Sequence, residues 1–493
     1  MKRRLVLIVA LLSGLISIVA DAQAPVASRP SASSTTEDSS DRWLAPRGLS
    51  GLREEARSSN SAGLAAFDAT GMPVQRWLES QGERLPVRVA ETEAEYRIVT
   101  DQSVQLADLT ASDGRIWDEL GWGVAVSGNT VVAGAPGVTL GREATGDEGG
   151  AAYVFVMPPN GWASMTQVAK LTPLDYVYDD DGGWSVAIDG NTVVVGAPSA
   201  IQGIVPGWVD VFVMPPGGWA DMTETARLTP SDGAMLDYFG YSVSISGNTV
   251  VVGAPYSPAY SSLGAAYVFV EPPDGWADMT ETAKLTPSDG ATGLGGSVSI
   301  SGNTVVAGAK KPGAAYVFVE PPNGWVNMTQ TAKLTSSDRV KTAVVSVAID
   351  GNTVVAGRPS GKIGGNKQQG EAYVFVAPAT GWANMTQTAI LTASDGAAGD
   401  HFGFSASISD NTVMIGAPLA TVGGNLSQGA AYEFAMPSSG WANTMETTKF
   451  TASDGNVGGG LGHSVAINGD TVVAGAPECS VAHHVGRGAA YVF

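Results

Sequence analysis

Small and large residues alternate in a short run that returns along most of the chain. In "SVAI" (185–188), Ser185 and Ala187 are small, whereas Val186 and Ile188 are large and apolar. Period-two alternation sends the two sets to opposite faces of a strand. The small set returns as Ser242/Ser244, Ser346/Ala348, Ser405/Ser407 and Ser464/Ala466. Three more runs follow each copy: "TVVVGAP" (192–198), "AYVFV" (266–270, 372–376) and "TAKLT" (282–286). Gly, Pro, Asn or Asp bound each run, as they bound strands. "DGN" or "SGN" separates the first two runs, a tight hairpin signal because Gly and Asn tolerate positive φ. Four strands joined in this way make one antiparallel blade.

The hairpin residue recurs at Asn129, Asn191, Asn248, Asn303, Asn352, Asn411 and Asp470, at intervals of 49 to 62 residues. That period predicts a solenoid or a propeller. Closure favours the propeller. The last copy stops after its third run, "AYVF" (490–493), while "VQLADLTASDG" (104–114) matches "TQTAILTASDG" (386–396). The N-terminal segment can therefore supply the outer strand of the last blade and leave no open edge. The expected fold is all-β: a seven-bladed β-propeller over 104–493, each blade four antiparallel strands. The small residues of the first run suit innermost strands, where blades converge.

Composition agrees with this reading. Among 493 residues there are 63 Gly, and only 15% are charged, a profile poor for helices. The net charge is −20 with no basic block, which argues against a nucleic-acid partner. "MKRR", then "LVLIVALLSGLISIVA", then "DAQA" reads as a secretory signal peptide over 1–24, with an uncleaved anchor as the rival. A secreted, extracellular or periplasmic protein is expected, with no stable membrane insertion of the mature chain. Residues 25–62, rich in Ser, Thr and Pro, read as a linker. Residues 63–103 read as a partly ordered lead-in, in which "VQRWLESQGERL" (74–85) has helical character.

The motifs resemble those of FG-GAP repeats, which build the seven-bladed propeller of integrin α subunits. Phe239-Gly240 stands with Gly253-Ala254-Pro255, and Phe402-Gly403 with Gly416-Ala417-Pro418; Leu120-Gly121 and Leu461-Gly462 keep GAP without the Phe. Gly308-Ala309-Lys310 and Gly357-Arg358-Pro359 are worn copies. The resemblance implies the fold and a binding or adhesion role. The family's calcium loop does not carry over: the connection is cut to "IDGNT", "ISGNT" or "INGDT", with too few carboxylates for a cage. The chain looks like the compact bacterial variety.

No catalytic triad, phosphate loop or dinucleotide fingerprint is present, so no enzyme activity and no cofactor is expected; the alternative is a propeller hydrolase or lyase with its site at the central channel, against which the small and apolar "SVAI" runs argue. Asp179-Asp180-Asp181 reads as a solvated loop, and Cys479 with His483 and His484 lacks a zinc spacing. Six Trp in "GWxxM" variants (162, 219, 276, 325, 382, 441) offer sugar platforms, with packing as the simpler role. The connections from GAP to the third strand, and from the fourth strand to the next first strand, differ between copies and fall on one face of the disc. Recognition of an extracellular protein or glycan by a monomer is expected there. The candidate residues are Tyr256, Tyr260, Lys362, Arg142 and Asn425.

Overall fold

Each alternating run lies on an innermost strand, and the hairpin it predicts follows. Ser185–Asp189 pairs antiparallel with Thr192–Ala197, which pairs with Trp208–Val213, which pairs with Ala226–Thr229. Gly190, at φ 54°, makes the turn between the first two strands, a conformation open to glycine at little steric cost. Seven such sheets form a seven-bladed β-propeller. This computed structural model describes 104–140, 149–175, 181–198, 205–257, 263–337, 343–481 and 484–493, and the backbone of 5–11, 14–20, 87–92 and 95–100. The linker reading at 25–62 and the helical reading at 74–85 lie outside the described residues.

The chain divides into two units, 1–102 and 103–493. In the first, Leu5–Leu11 pairs with Gly14–Ala20 and Val87–Thr92 with Glu95–Thr100, each as an antiparallel hairpin. In the second, blades 1 to 7 take their innermost strands from Val124–Ser127, Ser185–Asp189, Ser242–Ser246, Ser297–Ser301, Ser346–Asp350, Ser405–Ser409 and Ser464–Asn468. The third strand of blade 7, Ala489–Val492, pairs antiparallel with Ala107–Thr110, with Ala490 opposite Leu109.

A fifth, two-residue strand lies outside most blades, which the sequence pattern does not predict. Met279–Thr280, just after Trp276, pairs parallel with Leu228–Thr229 on the rim of the preceding blade. Asp278 accepts the Arg227 backbone N–H (2.8 Å), and Glu281 accepts the Ser231 backbone N–H (2.8 Å). The phrase "WADMTE" is thus a buckle between blades. Its last side chain recurs around the whole ring, and at the seam Gln105 accepts the Ser453 N–H (2.8 Å).

The innermost hairpins form a second ring of links. Asn468 of blade 7 accepts the Gly128 N–H of blade 1 (2.9 Å), Ser127 accepts that of Gly190, and Asp189 that of Gly247. Ser246, Ser301, Asp350 and Ser409 continue the series to Gly302, Gly351, Asp410 and Gly469. Asp189 and Asp350, acidic groups left in the shortened loops, therefore cap the next turn. Small residues on the innermost strands do related work: Ser185 Oγ donates to the Gly240 carbonyl of the next blade (2.8 Å).

The FG and GAP phrases meet across blade boundaries. A Cβ at Gly196 would lie 2.1 Å from the Gly240 carbonyl oxygen, and one at Gly253 would lie 2.0 Å from that of Gly295. Gly357 of the worn "GRP" keeps this contact, at 2.1 Å from Gly403 O; Gly308 of "GAK" has lost it, its nearest neighbour being Val344 Cγ1 at 3.3 Å. Gly253→Ala should therefore destabilise the ring by about 1–3 kcal/mol through overpacking, whereas Gly308→Ala should be close to neutral. Urea melts of the two variants check this, and equal losses would refute it.

The core lies between blades. Val209, Val211 and Leu228 of blade 2 pack with Val250, Tyr267 and Phe269 of blade 3, and Trp276 closes the cluster.

Candidate binding face

The two variable connections of neighbouring blades run side by side. Gly264 bridges to Leu294, Gly370 to Phe402, Gly429 to Leu461, and Gly488 to Leu120 across the seam. In each pair, a residue before a third strand meets the FG position of the next blade.

An "SDG" phrase after the fourth strand anchors this face. Asp232 accepts hydrogen bonds from Tyr267 Oη (3.0 Å) and Lys284 Nζ (2.6 Å) of the blade it leads into. Burial alone would raise this carboxyl, but the ammonium and the phenol outweigh it and hold Asp232 below the usual carboxylate range. Asp113, Asp289 and Asp395 repeat the arrangement with Tyr153/Lys170, Tyr316/Lys333 and Tyr432/Lys449.

Beyond this anchor the loops are bent tightly. Asp118, Asp237 and Asp400 are buried and accept the backbone N–H of Arg115, Ala234 and Ala397. Burial raises the carboxyls of Asp118 and Asp400. The residues on either side are left-handed: Trp117 (φ 66°) and Glu119, Leu236 (φ 66°) and Tyr238, and in blade 6 Gly399 and His401. Left-handed backbone costs a non-glycine residue about 1–3 kcal/mol. Even so, Trp117 is 56% and Leu236 42% exposed. Ile116, Met235, Leu426 and Val457 are also exposed on these connections. Trp117 lays one part of its ring against Gly486 across the seam, yet more than half of its surface faces solvent.

An aromatic arc lies one residue after the FG position. Trp122 sits 4.7 Å from Trp184 and 4.5 Å from His463, Trp184 sits 5.6 Å from Tyr241, and His463 sits 5.0 Å from Phe404, between ring centroids. Five consecutive blades thus contribute rings, all half-buried, and Gly296 and Val345 leave the arc open at blades 4 and 5. Burial lowers the His463 pKa despite its bond to the Trp122 carbonyl, which favours the neutral ring. The axial channel itself holds about 220 Å³ and is lined by Val, Ile, Ala and Ser of the innermost strands, such as Val243, Ser244 and Ile245.

Of the residues expected at this face, Tyr256 is exposed and meets the ring of Tyr238 edge-on at 5.4 Å. Lys362 is exposed. Asn425 instead holds its own loop, its Nδ2 donating to Gln428 Oε1 (2.9 Å) and the Gly455 carbonyl (3.2 Å). Arg142 and Tyr260 lie outside the described residues, as do Asp179, Asp180 and His483. The six "GWxxM" tryptophans all pack into or against the core clusters, with Trp276, Trp325 and Trp441 buried; they are not a ring of open platforms. Cys479 is buried 3.9 Å from Tyr491 Oη, and burial pushes its thiol up to about 12. Among the described residues no group of three His, Cys, Asp or Glu is placed to hold a metal.

Reading the residue after each FG position across the copies would have revealed the aromatic arc. The "SDG" aspartates carry an equally regular signal, hidden among ordinary turn residues.

A family model described as "FG-GAP repeat" matches residues 104–155, 165–203, 222–269, 279–318, 328–375, 385–434 and 444–493. No curated protein matches the chain. Among solved structures, it is similar to the computationally designed Ika8 protein (14% identity, 79% of this chain and 99% of that one, TM-score 0.43). It is also similar to a chain of the structure described as Mitotic Checkpoint Complex (13% identity, 83% of this chain and 98% of that one, TM-score 0.48). Neither likeness bears on function.

Proposed function

The chain belongs to the FG-GAP repeat family, and on that premise we propose that it is an exported, non-enzymatic binding scaffold that grips a protein partner with its variable-loop face. The observation that carries this reading is the pair Trp117 and Leu236, exposed and apolar on left-handed backbone. Strain kept at a surface position is a mark of function rather than of folding, and exposed apolar groups on one face mark an interaction site. The half-buried Trp122–Trp184 arc favours a second reading, in which a glycan stacks at the channel mouth.

Asn tolerates the left-handed region better than Trp or Leu. Trp117→Asn and Leu236→Asn should therefore leave the melting temperature nearly unchanged while weakening capture of the partner by about tenfold or more. A pull-down from the protein's native surroundings identifies the partner, and titration of the variants measures the loss. Unchanged capture by both variants would exclude this face. Displacement of the partner by free sugar would favour the glycan.

A further inference from the structure

The charge on this face is not uniform. Against a net charge of −20, the second-to-third connections of blades 4 and 5 expose four lysines: Lys310, Lys311, Lys362 and Lys367. No ion pair involving any of them is seen among the described residues.

Both loops hold these lysines on rigid backbone. The blade 4 connection is the short "KKPG" (310–313), and Lys311 exchanges two backbone hydrogen bonds with Thr292 (2.8 and 3.1 Å). In blade 5, Ile363 and Asn366 close a small hairpin around Gly364-Gly365 with reciprocal bonds of 3.2 and 2.9 Å. Asn366 fixes it further through Gln369 (3.0 Å) and the Gly396 carbonyl (3.3 Å). Lys362 and Lys367 stand next to this closing pair, one on each arm. Like charges set against each other across a hairpin destabilise it.

The fold does not require them. Blade 6 builds the same hairpin, Val422 and Asn425 around Gly423-Gly424, with the same Asn-to-Gln bond. There the flanking positions are Thr421 and Leu426. The charge on the blade 5 hairpin is an addition to a motif that is complete without it.

We infer that blades 4 and 5 form an anion-binding sector for a short acidic segment of the protein partner, with Lys362 and Lys367 gripping its carboxylates and Lys310 and Lys311 flanking them. This rests on the variable-loop face being the binding face and names the chemistry of what it takes. A carboxylate between the two arms relieves their mutual repulsion. A long polyanion is disfavoured, because it would run past four lysines onto a surface that is acidic overall. The aromatic arc is open at these same two blades, so an acidic segment there borders the apolar part of the face.

The test titrates the full chain with poly-L-glutamate and, separately, with heparin, at low and at physiological salt. The variant Lys362→Thr/Lys367→Leu carries the blade 6 residues and should melt no lower than the parent chain. Polyglutamate should bind the parent, weaken as salt rises, and bind the variant about tenfold less tightly. Equal binding by parent and variant, or no binding by the parent, would overturn the sector. Tighter binding of heparin than of polyglutamate would overturn the choice of a polypeptide. Loss of native-partner capture in Trp117→Asn but not in the double-lysine variant would remove the lysine sector and leave the face in place.

Discussion

Arg358→Ala alone should lower the stability of the ring by about 3–5 kcal/mol, and adding Glu371→Ala should recover a large part of that loss. Arg358 and Glu371 stand opposite each other on the second and third strands of blade 5, 3% and 5% exposed, and form an ion pair. Tyr373 Oη donates to the same Glu371 oxygen (3.0 Å), and the guanidinium lies over the Tyr373 ring. Removing Arg358 strands the buried Glu371 carboxylate. Removing both restores what blades 3, 4 and 6 already use at that register: Ala254 opposite Ala265, Ala309 opposite Ala314, and Ala417 opposite Ala430. Urea melts of the two single variants and the double variant complete the cycle. A double variant as unstable as the worse single one would mean that the pair fills space rather than balancing charge.

A chain starting at residue 112 should lose about 4 kcal/mol or more, and a peptide spanning 104–112 should restore it in trans. Leu109 is fully buried, and Ala107 and Ala111 nearly so, within a cluster that joins blades 1 and 7. Deleting one buried Leu side chain costs about 2–5 kcal/mol. The truncation also leaves the third strand of blade 7 with an unpaired edge and removes the Gln105 bond to Ser453. Thermal melts with and without peptide measure both effects. An unchanged melting temperature for the truncated chain would show that the Ala107–Thr110 strand is dispensable.

The blades were legible because most innermost strands alternate small and large residues and most hairpins are written in Gly with Asn or Asp. Period-two patterning is a statement about which side of a sheet a residue faces, and blade assembly follows from it. The buckle was not legible in the same way: Met279–Thr280 is two residues long and pairs parallel with another blade, so it has no period to detect. The worn copies also differ in kind. "GRP" departs together with its cross-strand partner, Ala to Glu371, and keeps the close approach of Gly357 to Gly403. "GAK" has lost that approach, since no FG stands in the copy that follows it.

The candidate face was legible only as a region. Loop variation pointed to the right connections but could not separate residues that hold a loop from those that display it. Asn425 is of the first kind and Lys362 of the second, though each stands in the same small hairpin on neighbouring blades. Trp117 and Leu236 were missed because nothing in the sequence announces a left-handed tryptophan or leucine. Only the backbone angle distinguishes them from ordinary loop residues.

The buckle reaches back to the preceding blade and the hairpin cap reaches forward to the next, each in a constant sense around the ring, and this bears on how such a chain can be inherited. Each copy carries both a plug for its predecessor and a socket for its successor. Duplicating or excising one copy in the gene therefore joins a plug to a socket of the usual kind, and the reading frame of the architecture survives the event. The drift of copies such as "GRP" and "GAK" is the expected later history of a ring assembled by tandem duplication.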